Sequence, residues 1–251
     1  MQTPGDDLLD VQIDNKIFGD GNGEQVRVLR GIRFSARAGE VLALFGASGT
    51  GKTTTLRIVL GLDDTFDGHI RRPTGRVGVM FQEPRLLPWL TLAENLRLVT
   101  PADPSSSGIA ALLAEVGLPG AANRLPRELS LGMARRAALA RALSVDPRLL
   151  VLDEPFTSLD PLLAATLAEA VARPARDRGA TVLIATHDLV QVLPIADRIL
   201  VFAGRPATLA ADTRVPAGAG VDALARLRAD LLARFPFMDA NTRSETQRER
   251  T

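Results

Sequence analysis

The 251-residue chain contains no cysteine. A disulfide framework and a thiolate zinc site are therefore excluded, and a reducing compartment fits. Net charge is missing too: 30 lysines and arginines stand against 29 aspartates and glutamates, a formal balance of +1. No overall field recruits nucleic acid or an anionic membrane. No stretch approaches the roughly 20 apolar residues that cross a bilayer, so a membrane role has to come through a separate partner chain. The opening MQTPGDDLLD is acidic and lacks an apolar run, so no secretory signal is expected. Lysine is nearly absent, with Lys16 and Lys52 the only two. What remains is 46% hydrophobic and 24% charged, the balance of an ordinary globular protein long enough to bury a sizeable core.

Apolar patterning divides this material into alternating elements. Residues 8–18 (LLDVQIDNKIF) and 26–34 (VRVLRGIRF) alternate apolar and polar side chains, which predicts half-buried antiparallel strands joined by the turn GDGNGE (19–24). VLALFG (41–46) reads as a strand buried on both faces, and TTTLRIVLGL (53–62) as a helix that closes near Gly61. DDTFDGHI is a turn leading into a short strand, where His69 is an ordinary strand residue, and VGVMFQ (77–82) is another apolar strand. From about 91 to 145 the spacing becomes helical, interrupted by PADPSSSG (101–108), Pro119 and Pro126, so a helical insertion is expected. LLVLD (149–153) is again a buried strand. Residues 160–173 predict a helix with Asp160 as N-cap and Pro161 in its first turn, which Pro174 should kink or end. TVLIAT (181–186), a short helix over 188–196 and RILVFA (198–203) complete the alternation. The pattern implies an α/β fold with a mainly parallel sheet and helices on both sides. RVPAGAG (214–220) reads as a linker. Leu224, Leu227, Leu231 and Phe235 then share one face of a short docking helix, and residues 240–251 read as a frayed polar tail.

The placement of Lys52 has a chemical reason. Gly46-Ala47-Ser48-Gly49-Thr50-Gly51-Lys52-Thr53 lies between an apolar strand and a helix, which is the phosphate-loop pattern, and Thr54 follows in the helix. Glycines let backbone N–H groups converge on phosphate oxygens, and the helix adds its positive end. A compact ammonium on a flexible stem reaches the β- and γ-phosphates where a planar guanidinium is wider, and Thr53 offers a hydroxyl to Mg²⁺. Further along, Asp153 at the end of the strand in LLVLDEP can hold Mg²⁺ through water. Glu154, the next residue, can orient or deprotonate a water.

Together these residues resemble the ATP-binding subunit of an ABC transporter over roughly residues 8–210. The resemblance extends to motifs that occur in order. Gln82 in MFQEP looks like the glutamine that contacts Mg²⁺ and senses the γ-phosphate. LSLGM (129–133) stands where the signature LSGGQ belongs, SLD (158–160) matches the D-loop, and His187 in ATHD matches the switch histidine on the γ-phosphate. Phe18 sits where the family stacks an aromatic on adenine. The resemblance implies an ABC ATPase fold, with an N-terminal antiparallel β subdomain and a helical subdomain of about 83–146 inside a nucleotide-binding domain of 1–211. Residues 212–251 follow as linker, helix and tail.

The family implies a head-to-tail pair of cassettes, in which Ser130 and Gly132 act on the ATP of the second subunit. A homodimer is the simplest arrangement, since one chain carries one of each half. The expected partners are integral membrane permease subunits, with a solute-binding protein if the system imports, and no nucleic acid. The expected location is peripheral, on the cytoplasmic face of the inner membrane. FQEPRLLPWLTLAENL looks most like importers of nitrate, sulfonates and taurine.

Two positions depart from the family pattern: Leu131 replaces a glycine of the signature and Met133 its glutamine. If position 131 requires positive φ, leucine costs about 1–2 kcal/mol there. A clamp that binds ATP without turning it over is thus an alternative to an ATPase, and a non-transport ABC protein is another. The apolar cluster Phe81, Leu86, Leu87, Trp89 and Leu90 is either a buried core or a groove that receives a helix from a membrane partner.

Overall fold

The computed structural model describes residues 8–19, 25–100, 106–157 and 159–236. Expectations for the turn at 20–24, for residues 101–105, for Ser158 of the SLD segment and for the tail at 240–251 lie outside the described residues. The described chain forms two units, each discontinuous in sequence. One comprises Arg37–Val41 and Arg72–Ile184, the other Leu9–Ala36, Leu42–Arg71 and the residues from Ala185 onward.

The second of these units carries the alternating strands. β1 (Leu9–Gly19) and β2 (Gln25–Ala36) pair antiparallel, and β4 (Asp67–Arg71) joins the free side of β1 in the same sense. Leu9, Val11 and Ile13 of β1 and Ile32, Phe34 and Ala36 of β2 are buried, which is the inward half of the period-two pattern, and Leu29 is buried out of that phase. β3 (Val41–Phe45) lies parallel to β8 (Arg198–Gly204), and every residue of β3 is buried. β9 (Ala207–Arg214) returns antiparallel to β8 and touches β2 in parallel, so the strand order here is β4-β1-β2-β9-β8-β3. β9 was not anticipated, because ATLAADTR lacks a clean alternation of large apolar residues. α1 (Lys52–Val59) follows β3 and buries Leu56, Ile58 and Val59.

The other unit holds the order β7-β6-β5, with β5 (Val77–Met80) parallel to β6 (Leu149–Asp153) and β7 (Thr181–Thr186) beyond β6. Between β5 and β6 lie α2 (Leu92–Arg97), α3 (Ser106–Glu115), a single 3₁₀ turn at Pro126–Glu128, and α4 (Leu131–Ser144). The helical insertion is therefore present. Its first break is shorter than the run of Pro and Ser implied, since α3 already includes Ser106–Gly108. α4 buries Ala137, Ala138, Leu139, Ala140, Ala142 and Leu143, so small side chains let its second half be enclosed on several sides.

Two helix expectations need correction. α5 (Pro161–Arg178) is capped by Asp160 as expected, but it continues through Pro174 to a left-handed cap at Gly179. Proline removes one backbone donor. The buried face of Leu167, Ala168, Val171 and Ala175 holds the helix across that loss. α6 spans only Leu189–Val192, not 188–196. Leu193 keeps helical backbone (φ −54°, ψ −38°), but Pro194 has no N–H with which to continue the ladder, and the N–H groups of Ile195 and Ala196 both return to the Val192 carbonyl in a turn. α7 (Val221–Arg234) is the amphipathic helix foreseen from its leucines, although Leu231 alone among them is fully buried.

Candidate nucleotide site

The glycine loop joins β3 to α1. Gly46 is buried, and a Cβ there would lie 2.6 Å from the Phe202 carbonyl oxygen and 2.8 Å from Thr50 Oγ1. Gly51 caps α1 with φ +79°, and a Cβ there would approach Leu29 Cδ2 to 2.4 Å. Neither position has room for a side chain, so the backbone itself forms the wall of the loop. The loop is tied internally. Thr50 Oγ1 donates to the Ala47 carbonyl at 2.8 Å, and Thr55 Oγ1 to the Gly51 carbonyl at 3.0 Å. Ser48 and Gly49 are exposed at its tip, Thr53 is exposed in the first turn of α1 and Thr54 is half-buried.

Lys52 is buried and its ammonium folds back into the loop. Nζ donates to the carbonyl oxygens of Gly46 at 2.6 Å and Ala47 at 3.1 Å. A cation is thus held beside the N-terminus of α1, and a cation together with a helix N-terminus attracts phosphate. A cradle lined by backbone, a threonine hydroxyl at the start of the helix and a stored cation fit a triphosphate and its metal. Phe18, near the end of β1, and His187, just after β7, belong to the same unit as this loop. Phe18 is 43% exposed. Asp188 beside His187 caps α6, its Oδ1 accepting from Val190 N at 2.8 Å.

Asp153 and Glu154 belong to the other unit. Asp153 is the buried last residue of β6, and Glu154 follows it with φ +52°. A glutamate in left-handed backbone costs about 1–2 kcal/mol. Thr157 Oγ1 donates to Glu154 Oε2 at 3.4 Å, a contact that sequence reading did not foresee.

Ser130 N-caps α4, its Oγ accepting from Met133 N at 3.3 Å. Leu131 is the first residue of the helix. It is 61% exposed and outside the left-handed region, so leucine there carries no backbone penalty. A Cβ on Gly132 would meet nothing within 4 Å.

Gln82 is exposed just after β5. The segment that follows it is pinned at both ends. Arg141 of α4 donates to the carbonyls of Arg85 at 2.7 Å and Pro84 at 3.0 Å, and burial lowers its pKa from the ordinary guanidinium range. Asn95 of α2 is buried. It accepts from Leu87 N at 2.8 Å and donates to the carbonyls of Leu87, Leu90 and Thr91 at 3.0–3.2 Å. Trp89 stands between these anchors, 71% exposed, and Phe81, Leu86, Leu87 and Leu90 are only half-buried. The buried-core reading of this cluster is therefore set aside. The anchoring roles of Arg141 and Asn95 left no signal in sequence, because their acceptors are backbone carbonyls.

No helix among the described residues is long and apolar enough to cross a membrane. No cluster of three or more His, Cys, Asp or Glu forms a metal site among them.

Residues 29–157 match the family model described as ABC transporter. The aliphatic sulfonates import ATP-binding protein SsuB 1 of Pseudomonas syringae pv. syringae is 41% identical over 229 residues, covering 90% of this chain and 94% of that protein. The protein of the same name from Pseudomonas aeruginosa is 39% identical over 254 residues, covering 96% of this chain and 97% of that one. Among solved structures, the fold is similar to that of an ATP binding subunit of an ABC transporter, with a TM-score of 0.71 and 27% identity over 87% of this chain and 98% of that one. It is similar also to a bacterial ABC transporter cassette solved as a dimer, with a TM-score of 0.74 and 24% identity over 83% of this chain and 99% of that one. The chain belongs to the ABC transporter family, as one of its ATP-binding, ATP-hydrolysing subunits.

Proposed function

We propose that this ATPase drives uptake of an aliphatic sulfonate through a separate membrane-spanning permease. The substrate class rests on the name that curated relatives carry at about 40% identity over nearly their whole length. The observation that carries the chemistry is the buried Lys52 ammonium held on the Gly46 and Ala47 carbonyls, in a loop where Gly46 and Gly51 have no room for a Cβ.

In this reading Phe18 stacks on adenine and the amides of residues 46–54 receive the phosphates. Lys52 leaves its carbonyls for the β- and γ-phosphate oxygens. Thr53, Gln82 and Asp153 would hold Mg²⁺, whose charge offsets that of the phosphate oxygens. Glu154 orients a water and takes its proton as the water oxygen bonds to the γ-phosphorus and the bond to ADP breaks. His187 donates to the γ-phosphate. Ser130 and Gly132, opening α4, complete the site of a second copy of the chain, so the working unit is a homodimer. It sits on the cytoplasmic face of the inner membrane, and a solute-binding protein delivers the sulfonate from the other side. The exposed Trp89 segment, anchored by Arg141 and Asn95, is the surface offered to the permease.

The non-catalytic clamp is disfavoured by Leu131, which occupies relaxed helical backbone, and by the presence of Glu154. The test is reconstitution of the chain with its permease and solute-binding protein in liposomes. ATP- and Mg²⁺-dependent uptake of a short alkanesulfonate is expected. Uptake of nitrate but not of alkanesulfonates would overturn the substrate, and ATP binding without phosphate release would restore the clamp.

A further inference from the structure

The chain's other lysine is also buried, and its surroundings are specific. Lys16 is 2% exposed. Its Nζ donates to Asp63 Oδ1 and to the Thr65 carbonyl, each at 2.7 Å, and lies 4.4 Å from the centroid of the Phe18 ring. Period-two alternation puts residues 16 and 18 on one face of β1, and the register shift against β2 between Lys16 and Ile17 reshapes the strand at that point. Asp63 Oδ1 also accepts from Thr65 N at 3.2 Å, so the 63–65 turn is folded around the ammonium. That turn follows α1, whose first residue is Lys52. One buried cation thus ties the aromatic ring to the far end of the phosphate-loop helix.

We propose that Lys16 is a positioning residue for the nucleotide base: it holds one face of Phe18 so that the ring is presented at a set distance from the phosphate loop. The inference rests on the reading of Phe18 as the adenine platform. Three properties favour the assignment. The ammonium is small enough to be enclosed between a strand and a turn, where a guanidinium is wider. Its contacts with Asp63 and Thr65 leave it directed at the ring, where a desolvated cation–π contact is stronger than an exposed one. Phe18 retains 43% exposure, so the ammonium beside its ring does not bury the residue. Lysine at 16 in a chain that otherwise uses arginine then has the same kind of reason as lysine at 52: a point charge in a confined space.

The test measures affinity for ATP and for inorganic tripolyphosphate, which lacks the base, in Lys16→Met, Phe18→Ala and the double variant. Each is made on a Glu154→Gln background with Mg²⁺. Lys16→Met is expected to weaken ATP about five- to tenfold, the size of one partly desolvated cation–π contact. Tripolyphosphate affinity should not change, and the double variant should bind ATP no worse than Phe18→Ala alone. In the hydrolysing protein the KM for ATP should rise while kcat stays within about twofold. Asp63→Asn keeps the ammonium and loosens its anchor. It should show a smaller shift of the same kind, and it serves if Lys16→Met does not fold. Equal loss of ATP and tripolyphosphate would make Lys16 a support of the phosphate loop and overturn the inference. Wild-type ATP affinity in Lys16→Met beside a weakened Phe18→Ala would overturn it while leaving the stacking platform intact. No loss in Phe18→Ala would remove the platform itself.

Discussion

Arg141 reaches from α4 to the carbonyl oxygen of Arg85 at 2.7 Å, joining the helix that Ser130 caps to the segment just beyond Gln82. Arg85 itself is held at φ +47° with its guanidinium carbon 4.3 Å from the centroid of the Phe81 ring. Arg141→Met removes the donor to the exposed Arg85 carbonyl and the partly buried Pro84 carbonyl, and it should lower the unfolding free energy by about 1–3 kcal/mol. Urea titration measures this. Arg141→Lys, with a point charge in place of a fork, should recover about half of it.

Gly51→Ala meets two penalties at once, a left-handed backbone and a Cβ only 2.4 Å from Leu29 Cδ2. Overpacking of this kind costs about 1–3 kcal/mol. The variant should melt several degrees lower and lose nucleotide binding by equilibrium dialysis. Gly132→Ala, where a Cβ meets nothing, should leave the melting temperature within about one degree, as befits a change with no steric cost.

Glu154→Gln should reduce phosphate release by at least about 100-fold, the scale of a lost general base, with ATP binding retained. Its stability should match the wild type, because the strain at φ +52° resides in the backbone and glutamine inherits it. A colorimetric phosphate assay beside a denaturation curve separates the two effects. Turnover equal to wild type would remove Glu154 from the mechanism.

Leu131→Gly, which restores the family's glycine, should not raise turnover by more than about twofold, since Leu131 lies in ordinary helical backbone. Glycine in the first turn should instead cost up to about 1 kcal/mol of stability. A large gain in rate would show that the leucine side chain, not its backbone, obstructs the partner's site.

Glu94 closes a capping box with Thr91, and hydrogen bonds from the Thr91 backbone and hydroxyl hold its pKa below the ordinary glutamate value. A lowered folded-state pKa means that the contribution is present above the unfolded value and fades as pH falls through the folded one. Glu94→Ala should therefore be less stable than wild type at neutral pH. The gap should narrow below about pH 4, as the wild-type carboxylate takes up its proton. Paired denaturation curves at several pH values give the comparison.

Much of the architecture was legible in the sequence because the forces that write it are local. Eight residues from Gly46 to Thr53 specify a phosphate loop through glycine backbone freedom and one ammonium. The runs VLALF and LLVLD announce buried strands because no polar side chain interrupts them. The capping position of Asp160 followed from residue type alone. What the tertiary structure decided depends on residues far apart in the chain. The acceptors of Lys16 lie 47 and 49 residues away, and those of Arg141 lie 56 and 57 away. The continuation of α5 past Pro174, the exposure of the Trp89 segment and the strand β9 follow from which surfaces meet in the folded state. A local pattern states what a residue prefers, and only packing states which preference prevails.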